Sequence, residues 1–422
     1  MDFKVVMQDL KFYNHSDVFQ KDWELSQATY PGNDISFLKE AFLYEMNELL
    51  KLPDEVFTKL LDAVRNVSNN KALSRLVWHC HYVLFELADY PKEFLQKWPS
   101  LKSYDETVGD MFFAIIAISG IPRMQRIYKD LGIPKYYLIE TLDYLNVWMN
   151  DFYKQNGRWG LSNFVWFRYY QLDGKLFRLG RLEFELNQFK GKIKVYRNIY
   201  DNRVIALSEA GVKFRSDGQV NGTNGIYDEN GKWISELNKT NGIITGNPIH
   251  PLSYAINRKI RLLAKDWQLV LEKGNPILGI HIPATGELTP ELTAESFNIA
   301  IEFYNKYFPD KSFKAFHCGT WFLDAQLQKL LSGNSNIVRF QENFYLYPTL
   351  TNDSAAFDWV FGSKPDDLSD LPRETQLHRA ILSHYDNGGY LRTGFGFILV
   401  NGKTYGQQIF EELLIRKNGS CT

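Results

Sequence analysis

Apolar residues recur at helical spacing through the first third of the chain. Phe37, Ala41, Tyr44 and Leu49 with their neighbours predict one inward stripe, and Val56, Leu60, Leu61 and Val64 predict another. Pro53, the Asn69-Asn70 pair, Pro91, Pro99, Gly120-Ile121-Pro122 and Gly132-Ile133-Pro134 cut this pattern into roughly seven helices of ordinary length. Residues 1–157 therefore read as an all-helical N-terminal domain. Within it, 124–131, Gly132-Ile133-Pro134 and 135–149 have the outline of a DNA-reading helix pair. The second helix, however, offers Tyr136, Tyr137, Glu140, Asp143 and Tyr144 with Lys135 as its lone base, so charge argues for a plain αα-hairpin.

After Gly157 the period changes. The runs 166–171 and 175–186 flank Leu172-Asp173-Gly174, and a DG pair between β-prone runs predicts a hairpin. Asp217-Gly218, Asn221-Gly222, Asn224-Gly225, Asn230-Gly231 and Asn241-Gly242 predict short hairpins or a loop-rich insertion around 190–246. Helical spacing returns over 250–273, with Ile256, Ile260, Leu263, Trp267 and Leu271 inward.

The stretch 276–344 then predicts strand, loop, helix, strand, helix and strand. Residues 277–283 are short, β-branched and closed by proline; Thr289, Pro290 and Glu291 read as N-cap, first helical position and first-turn acid. Phe297, Ala300, Ile301, Tyr304 and Phe308 form the inward face of that helix. Residues 313–318 predict the second strand, Asp324 caps a helix with Leu327, Leu330 and Leu331 inward, and 337–347 predict the third strand. Such a unit implies a right-handed crossover, parallel pairing, and ligands at the carboxyl ends of the strands, here the 283–287 loop and the 318–321 turn. Farther on, 354–361 and 371–385 read as helices and 390–400 as a strand interrupted by Gly394 and Gly396. The Asn401-Gly402 turn leads to a further β element or a final helix from Gly406.

Composition adds limits. A chain of 422 residues, 45% hydrophobic and 15% aromatic, can bury a substantial core, and a net charge of -1 supplies no bulk field toward nucleic acid or anionic lipid. Cys80, Cys318 and Cys421 are too scattered for a disulfide framework or zinc cluster and fit a reducing compartment. The opening MDFKVVMQDL lacks the apolar core of a signal peptide, and the apolar run 111–121 is too short to cross a bilayer. The expectation is a cytoplasmic protein with no nucleic-acid, membrane or metal partner; oligomeric state is open.

Candidate chemistry gathers in the second half. In a strand, Arg181, Glu183 and Glu185 share one face, where two carboxylates at i and i+2 favour a general base; a solvated face neutralised by Arg181 is the alternative. His281 and His317 each fall late in a strand, and neighbouring strands would turn both rings into one cleft; two core histidines bonded to main chain is the alternative. A His317-Cys318 nucleophilic pair would need a bulge, so Cys318 reads as inert core, and His79 and His81 as structural. Trp321 either caps a pocket or fills the core.

LFRLGRLEFEL at 176–186, HIPATGEL at 281–288 and FHCGTWFLDAQLQKLLSGNSNIVRFQENF at 316–344 resemble bacterial acyltransferases with a helical N-terminal domain and a GNAT-like C-terminal domain. The likeness is best over 164–186 and 277–347. It implies an α/β (α+β) fold, with a GNAT-like mixed-sheet domain over 158–422. It also implies CoA-dependent acyl transfer, with acyl-CoA as co-substrate and a small-molecule or peptide amine as acceptor. The thioester would lie along Ile280 to Gly286, beside the strand that opens the crossover, and the pyrophosphate on the 284–290 segment at the following helix N-terminus, with Ile282, Pro283, Ala284, Thr285 and Gly286 as cofactor-binding residues. Glu183 or a histidine, His281 or His317, would take the amine proton, with Glu185 on the same face but not aligned with the acceptor. The loop departs from the usual phosphate loop, having one glycine, Gly286, the acidic Glu287 and no basic residue; Arg392-Thr393-Gly394-Phe395-Gly396 carries the missing types but precedes a strand. Two other classes stay open: a metal-dependent hydrolase using His281, His317 and a carboxylate, for which no HExxH-type motif speaks, and a non-catalytic binding protein on a degenerate GNAT-like fold.

Overall fold

The computed structural model describes residues 1–12, 16–87, 90–99, 101, 106–162, 164–401 and 404–405; Cys421, Gly402 and the segment from Gly406 lie outside them. The chain divides into two compact units, Met1–Leu179 with Pro283–Thr285, and Gly180–Ile282 with Gly286–Thr422.

The first unit is helical almost throughout. Asp54–Asn69 starts with two acids at its positive end and buries Val56, Leu60, Leu61 and Val64, and Asn70 caps the next helix by accepting from the Ala72 and Leu73 amides. Glu106–Ser119 carries buried side chains at Met111, Phe112, Ala114, Ile115, Ile116, Ala117 and Ile118, an apolar girth that only a helix surrounded by others tolerates. Ile121–Asp130 and Lys135–Leu142 form the expected αα-hairpin, tied by the Tyr128 hydroxyl donating to Thr141 Oγ1 at 3.1 Å, but the second helix, expected over 135–149, stops at Leu142 and a new one runs over Tyr144–Asn156.

The hairpin expected at Leu172-Asp173-Gly174 is absent: Phe164–Trp166 and Phe167–Gln171 are helical turns. Phe164, Phe167, Arg168 and Gln171 are buried, and their spacing of three, four and seven outweighs the β propensity of the aromatics. Asp173 closes this helix by accepting from Arg168 at 2.6 Å and Lys175 at 3.0 Å.

In the second unit a mixed sheet runs in the order Leu182–Gln188, Pro276–His281, Ala315–Thr320, Gly394–Asn401 and Tyr345–Tyr347. Pro276–His281 and Ala315–Thr320 are parallel and joined by the helix Pro290–Tyr307, while the other neighbours in this order are antiparallel. Thr289 caps that helix, accepting from the Leu292 amide, and Phe297, Ala300, Ile301 and Tyr304 are buried as the spacing requires, while Phe308, expected on the same face, is the C-cap beyond the last turn and half-buried. The Tyr304 hydroxyl donates to the Phe184 carbonyl at 2.9 Å, fastening helix to sheet. The helix Ser354–Phe361 follows the expected span, Gln376–Asp386 begins later than expected, and Thr404–Tyr405 is the β element that pairs back on Gly394–Asn401.

The third strand differs from expectation. Residues 337–347 split into the helix Asn336–Gln341 and the strand Tyr345–Tyr347, because Val338 and Gln341 bury at a spacing of three while Arg339 and Glu342 pair at 3.4 Å on the outer side. That strand is separated from Ala315–Thr320 by Gly394–Asn401.

Strands, some of them paired as the short hairpins expected, fill 190–246 and replace the 250–273 helix; besides the pair Lys213–Phe214 and Trp233–Ile234 they make two larger sheets. One has the strands Tyr254–Ala255, Pro248–His250, Val204–Ser208, Ile193–Asn198 and Trp267–Leu271 in that order, and the other has Ile260–Leu263, Ile243–Gly246 and Leu237–Thr240. Asn241 and Gly242, both at positive φ (50° and 74°), make the tight turn between the last two. The apparent helix in 250–273 rested largely on spacings of four, which are even and so also satisfy a strand. Phe189, Ile193, Val195, Ala206 and Ile249 pack with Ile277, Ala315, Tyr345, Tyr347 and Phe397 into one core between the first two sheets. Tyr345 pins the layers: its hydroxyl donates to the Ile249 carbonyl at 2.5 Å and accepts from the Ala206 amide at 3.2 Å.

Candidate active site

Strand parity and register assemble the site. Glu185 pairs with Gly279 and Glu183 with His281 across the antiparallel neighbours, and the parallel neighbour sets His317 beside Gly279. All four candidate residues therefore lie on one face of the sheet, toward the second sheet, while Phe184, Leu278, Ile280, Phe316 and Cys318 lie on the other, under the helix.

A cavity of about 500 Å³ opens on that face. Glu185, Asn187, Gly279, His281, His317, Gly319, Tyr347 and Phe395 line it from the mixed sheet, and Lys190, Lys192, Ile193, Val212, Phe214 and Ile249 from the facing wall. Glu183 shares the face but not the cavity; it is 0% exposed.

His281 and Glu185 meet at Nε2 and Oε1, 3.0 Å apart, and Asn187 Nδ2 donates to the same oxygen at 3.1 Å. A carboxylate oxygen accepts, so Nε2–H is the donor in this pair. Gly279 makes room for this: a Cβ there would come to 3.2 Å from Glu185 Cγ and 3.3 Å from Oε1. His317 Nε2 lies 2.9 Å from the Tyr347 hydroxyl, with its ring against Phe189 and Phe395. Burial lowers the His317 pKa to about 4 and raises that of Tyr347, so both are neutral at pH 7.

The Pro276–His281 strand leads into the loop of Ile282, Pro283, Ala284, Thr285 and Gly286. Gly286 has φ +64° and a Cβ there would meet nothing within 4 Å, so backbone conformation rather than crowding calls for glycine. Within the first unit Arg178 Nη2 donates to Thr285 Oγ1 at 3.0 Å. Within the second, Arg181 donates from Nε to the Glu287 carbonyl at 2.9 Å and from Nη2 to the Gly286 carbonyl at 3.2 Å. Arg181 thus reaches the Gly286 and Glu287 carbonyls instead of acting only as a neutraliser of its carboxylate neighbours.

Residues 176–398 match the GNAT-like C-terminal domain family, and 41–174 match the N-acyltransferase N-terminal domain. The chain belongs to this acyltransferase family. No curated protein matches the sequence. Solved structures share the fold: an acyltransferase in complex with decanoyl-CoA and teicoplanin, and one in complex with CoA and 10C-teicoplanin, each have a TM-score of 0.65 at 20% identity, over 95% of this chain and 100% of theirs. An acyltransferase mutant in complex with octanoyl-CoA gives a TM-score of 0.64 at 20% identity over the same shares.

Against this acyltransferase frame, the remaining candidates fall into structural places. Cys318 is 1% exposed on the helix-covered face, its thiol 3.6 Å from the Ile280 carbonyl, and burial raises its pKa, so it forms no dyad with His317. His79 and His81 bond separately to Ser26 and Ser119, each at 2.8 Å, and burial lowers the His79 pKa to about 3. Trp321 packs with Leu327, Ala356, Ile381 and Leu391 as core. Arg392 is committed to the buried Asp324 through its amide at 2.9 Å and Nε at 3.4 Å, and a Cβ on Gly394 would lie 2.0 Å from the Leu323 carbonyl oxygen, so that glycine serves packing. Among the described residues no three His, Cys, Asp or Glu side chains are grouped around a metal position, and no helix is long and apolar enough to cross a membrane.

Sequence reasoning passed over Asn187, Gly279, Gly319, Tyr347 and the two lysines. The available signal was the facing alternation Gly279-Ile280-His281 and His317-Cys318-Gly319, which bares backbone beside each imidazole.

Proposed function

We propose that the protein transfers an acyl group from acyl-CoA to an amine on a small molecule or peptide. The observation that carries this reading is the Glu185–His281 hydrogen bond, set on the strand that runs directly into the Gly286 loop and the capped helix Pro290–Tyr307. Family membership and the ligands named for structures of the same fold support it. That loop and helix N-terminus suit the CoA pyrophosphate, since unpaired N–H groups and the positive dipole end favour anions.

In this reading a neutral amine attacks the thioester carbonyl and forms the C–N bond. His281 Nδ1 takes the amine proton while Glu185 stabilises the imidazolium, as a carboxylate beside a histidine does in general-base dyads. The C–S bond then breaks and the imidazolium returns the proton to the departing sulfur, so no covalent enzyme intermediate is needed. His317 and Tyr347, both neutral, act as hydrogen-bonding groups rather than charges. The same reading sets the enzyme in a reducing, cytoplasmic setting, in keeping with the unpaired thiols of Cys80 and Cys318.

The test is release of free CoA thiol from octanoyl-CoA and decanoyl-CoA with a panel of primary amines. Amine-dependent release that His281→Gln lowers by about a hundredfold or more supports the assignment. No release with any amine, together with no acyl-CoA binding by calorimetry, rejects it.

A further inference from the structure

The cavity has two chemically different ends. His281 and Glu185 sit at one; at the other, Pro276 pairs with Gln188, and Lys190, Gly191 and Lys192 follow. The strand between, Ile277 to His281, rises about 13 Å at ~3.3 Å per residue. Phe214, Val220, Ile249 and Phe395 make the walls along that length apolar.

The far end holds two lysines that have no counterion among the described residues. Lys190 and Lys192 are exposed and line the cavity, and among the described residues neither ammonium has an ion pair or hydrogen bond. Lysines nearby are differently placed: Lys194 lies 2.8 Å from Glu272 and Lys259 2.7 Å from Glu236. Gly191 is buried between the two free lysines, and a Cβ there would lie 2.5 Å from the Phe189 ring and 2.9 Å from the Tyr347 hydroxyl. The Lys-Gly-Lys segment is therefore pressed onto the cavity wall, and both lysines line the cavity. Glu185, among the described residues the one acidic side chain in the lining, is already engaged by His281 and Asn187 at the opposite end.

We propose that the acceptor is an anionic amphiphile, an amine carried on an apolar body whose far end bears an anionic group bound by Lys190 and Lys192. This rests on the acyltransferase reading. A purely apolar acyl tail would leave two ammoniums over hydrocarbon, whereas an anion gains charge-assisted hydrogen bonds from both. The CoA phosphates are assigned to the loop at the His281 end, so they do not account for the lysines.

The test compares two acceptors with decanoyl-CoA: ω-aminododecanoate, and dodecylamine, which has the same amine and a similar body without the anion. The wild-type enzyme should favour the aminododecanoate in kcat/KM by about tenfold, a margin that shrinks as salt rises. Lys190→Ala/Lys192→Ala should bring the ratio of the two kcat/KM values near one through KM, and Lys190→Arg/Lys192→Arg should restore it. A wild-type ratio near one, or a ratio the double alanine variant leaves as it was, overturns the proposal. Calorimetric titration with laurate needs no turnover: saturable binding that the alanine pair abolishes supports the proposal, and no binding to the wild type overturns it. Decanoyl-CoA binding in the same samples reports separately on the acyltransferase reading.

Discussion

Glu185 and Gly279 face each other across an antiparallel pair so closely that a single methyl group on Gly279 would press on the carboxylate that holds His281. A neighbour at 3.2 Å has to give by a few tenths of an ångström, and here the neighbour is the flexible Glu185 side chain. Gly279→Ala should therefore fold, bind acyl-CoA normally and turn over about tenfold more slowly, because a misplaced dyad loses orientation. Wild-type kcat in this variant would show that the carboxylate position does not matter.

The two glutamates should separate cleanly. Glu185→Gln keeps shape but weakens stabilisation of the His281 imidazolium, so kcat should fall by about a hundredfold and the acidic limb of the pH–rate profile should shift. Glu183, wholly buried and outside the cavity, should act on stability: Glu183→Gln is expected to move the denaturant midpoint more than kcat. Measured kcat and urea midpoints for the pair would reverse the assignment if Glu183→Gln were the slower enzyme.

Acid should weaken the fold through His317. Its folded pKa, about 4, lies below the ordinary histidine value of about 6.5, so between those pH values the unfolded chain binds a proton that the native state does not. Its contribution to stability is intact above pH 6.5 and is lost as pH falls toward 4. His317→Gln should flatten this part of the urea-midpoint profile. A slope identical to wild type would mean that His317 is protonated in the native state.

Gly286 offers a test of the loop alone. At φ +64° a valine is strained although space is open around it, so Gly286→Val should shift the loop, weaken acyl-CoA binding by about tenfold and spare most of the fold. Arg181→Ala, which removes the donors to the Gly286 and Glu287 carbonyls, should act in the same direction. Calorimetry with decanoyl-CoA would exclude the loop if both variants bound as wild type does.

What could be read in advance was local. Thr289, Pro290 and the stripe from Phe297 to Tyr304 announce a helix through its own cap and spacing, and that helix is present as read. The alternation of Glu183 and Glu185 placed both on one face, but burial depends on what lies above that face, and nothing near them in sequence says that Glu183 is covered while Glu185 opens on a cavity. The strands of 250–273 hid behind spacings of four, and Arg181 behind its charged neighbours, since its partners lie more than a hundred residues away. Tyr347 and the lysines came to the cavity through pairings of distant strands, which period counting does not see.

Gly394–Asn401 is laid between two strands that precede it in the chain, Ala315–Thr320 and Tyr345–Tyr347. As the polypeptide leaves the ribosome, those two are made first and have no partner for their facing edges until the intervening strand emerges. The wall of the cavity that holds His317 and Tyr347 is thus among the last parts to close, and nascent or truncated chains ending before residue 394 would carry two open, apolar strand edges. Such edges recruit other chains. Ribosome-arrested chains stopped just before and just after this strand should differ sharply in their need for chaperones.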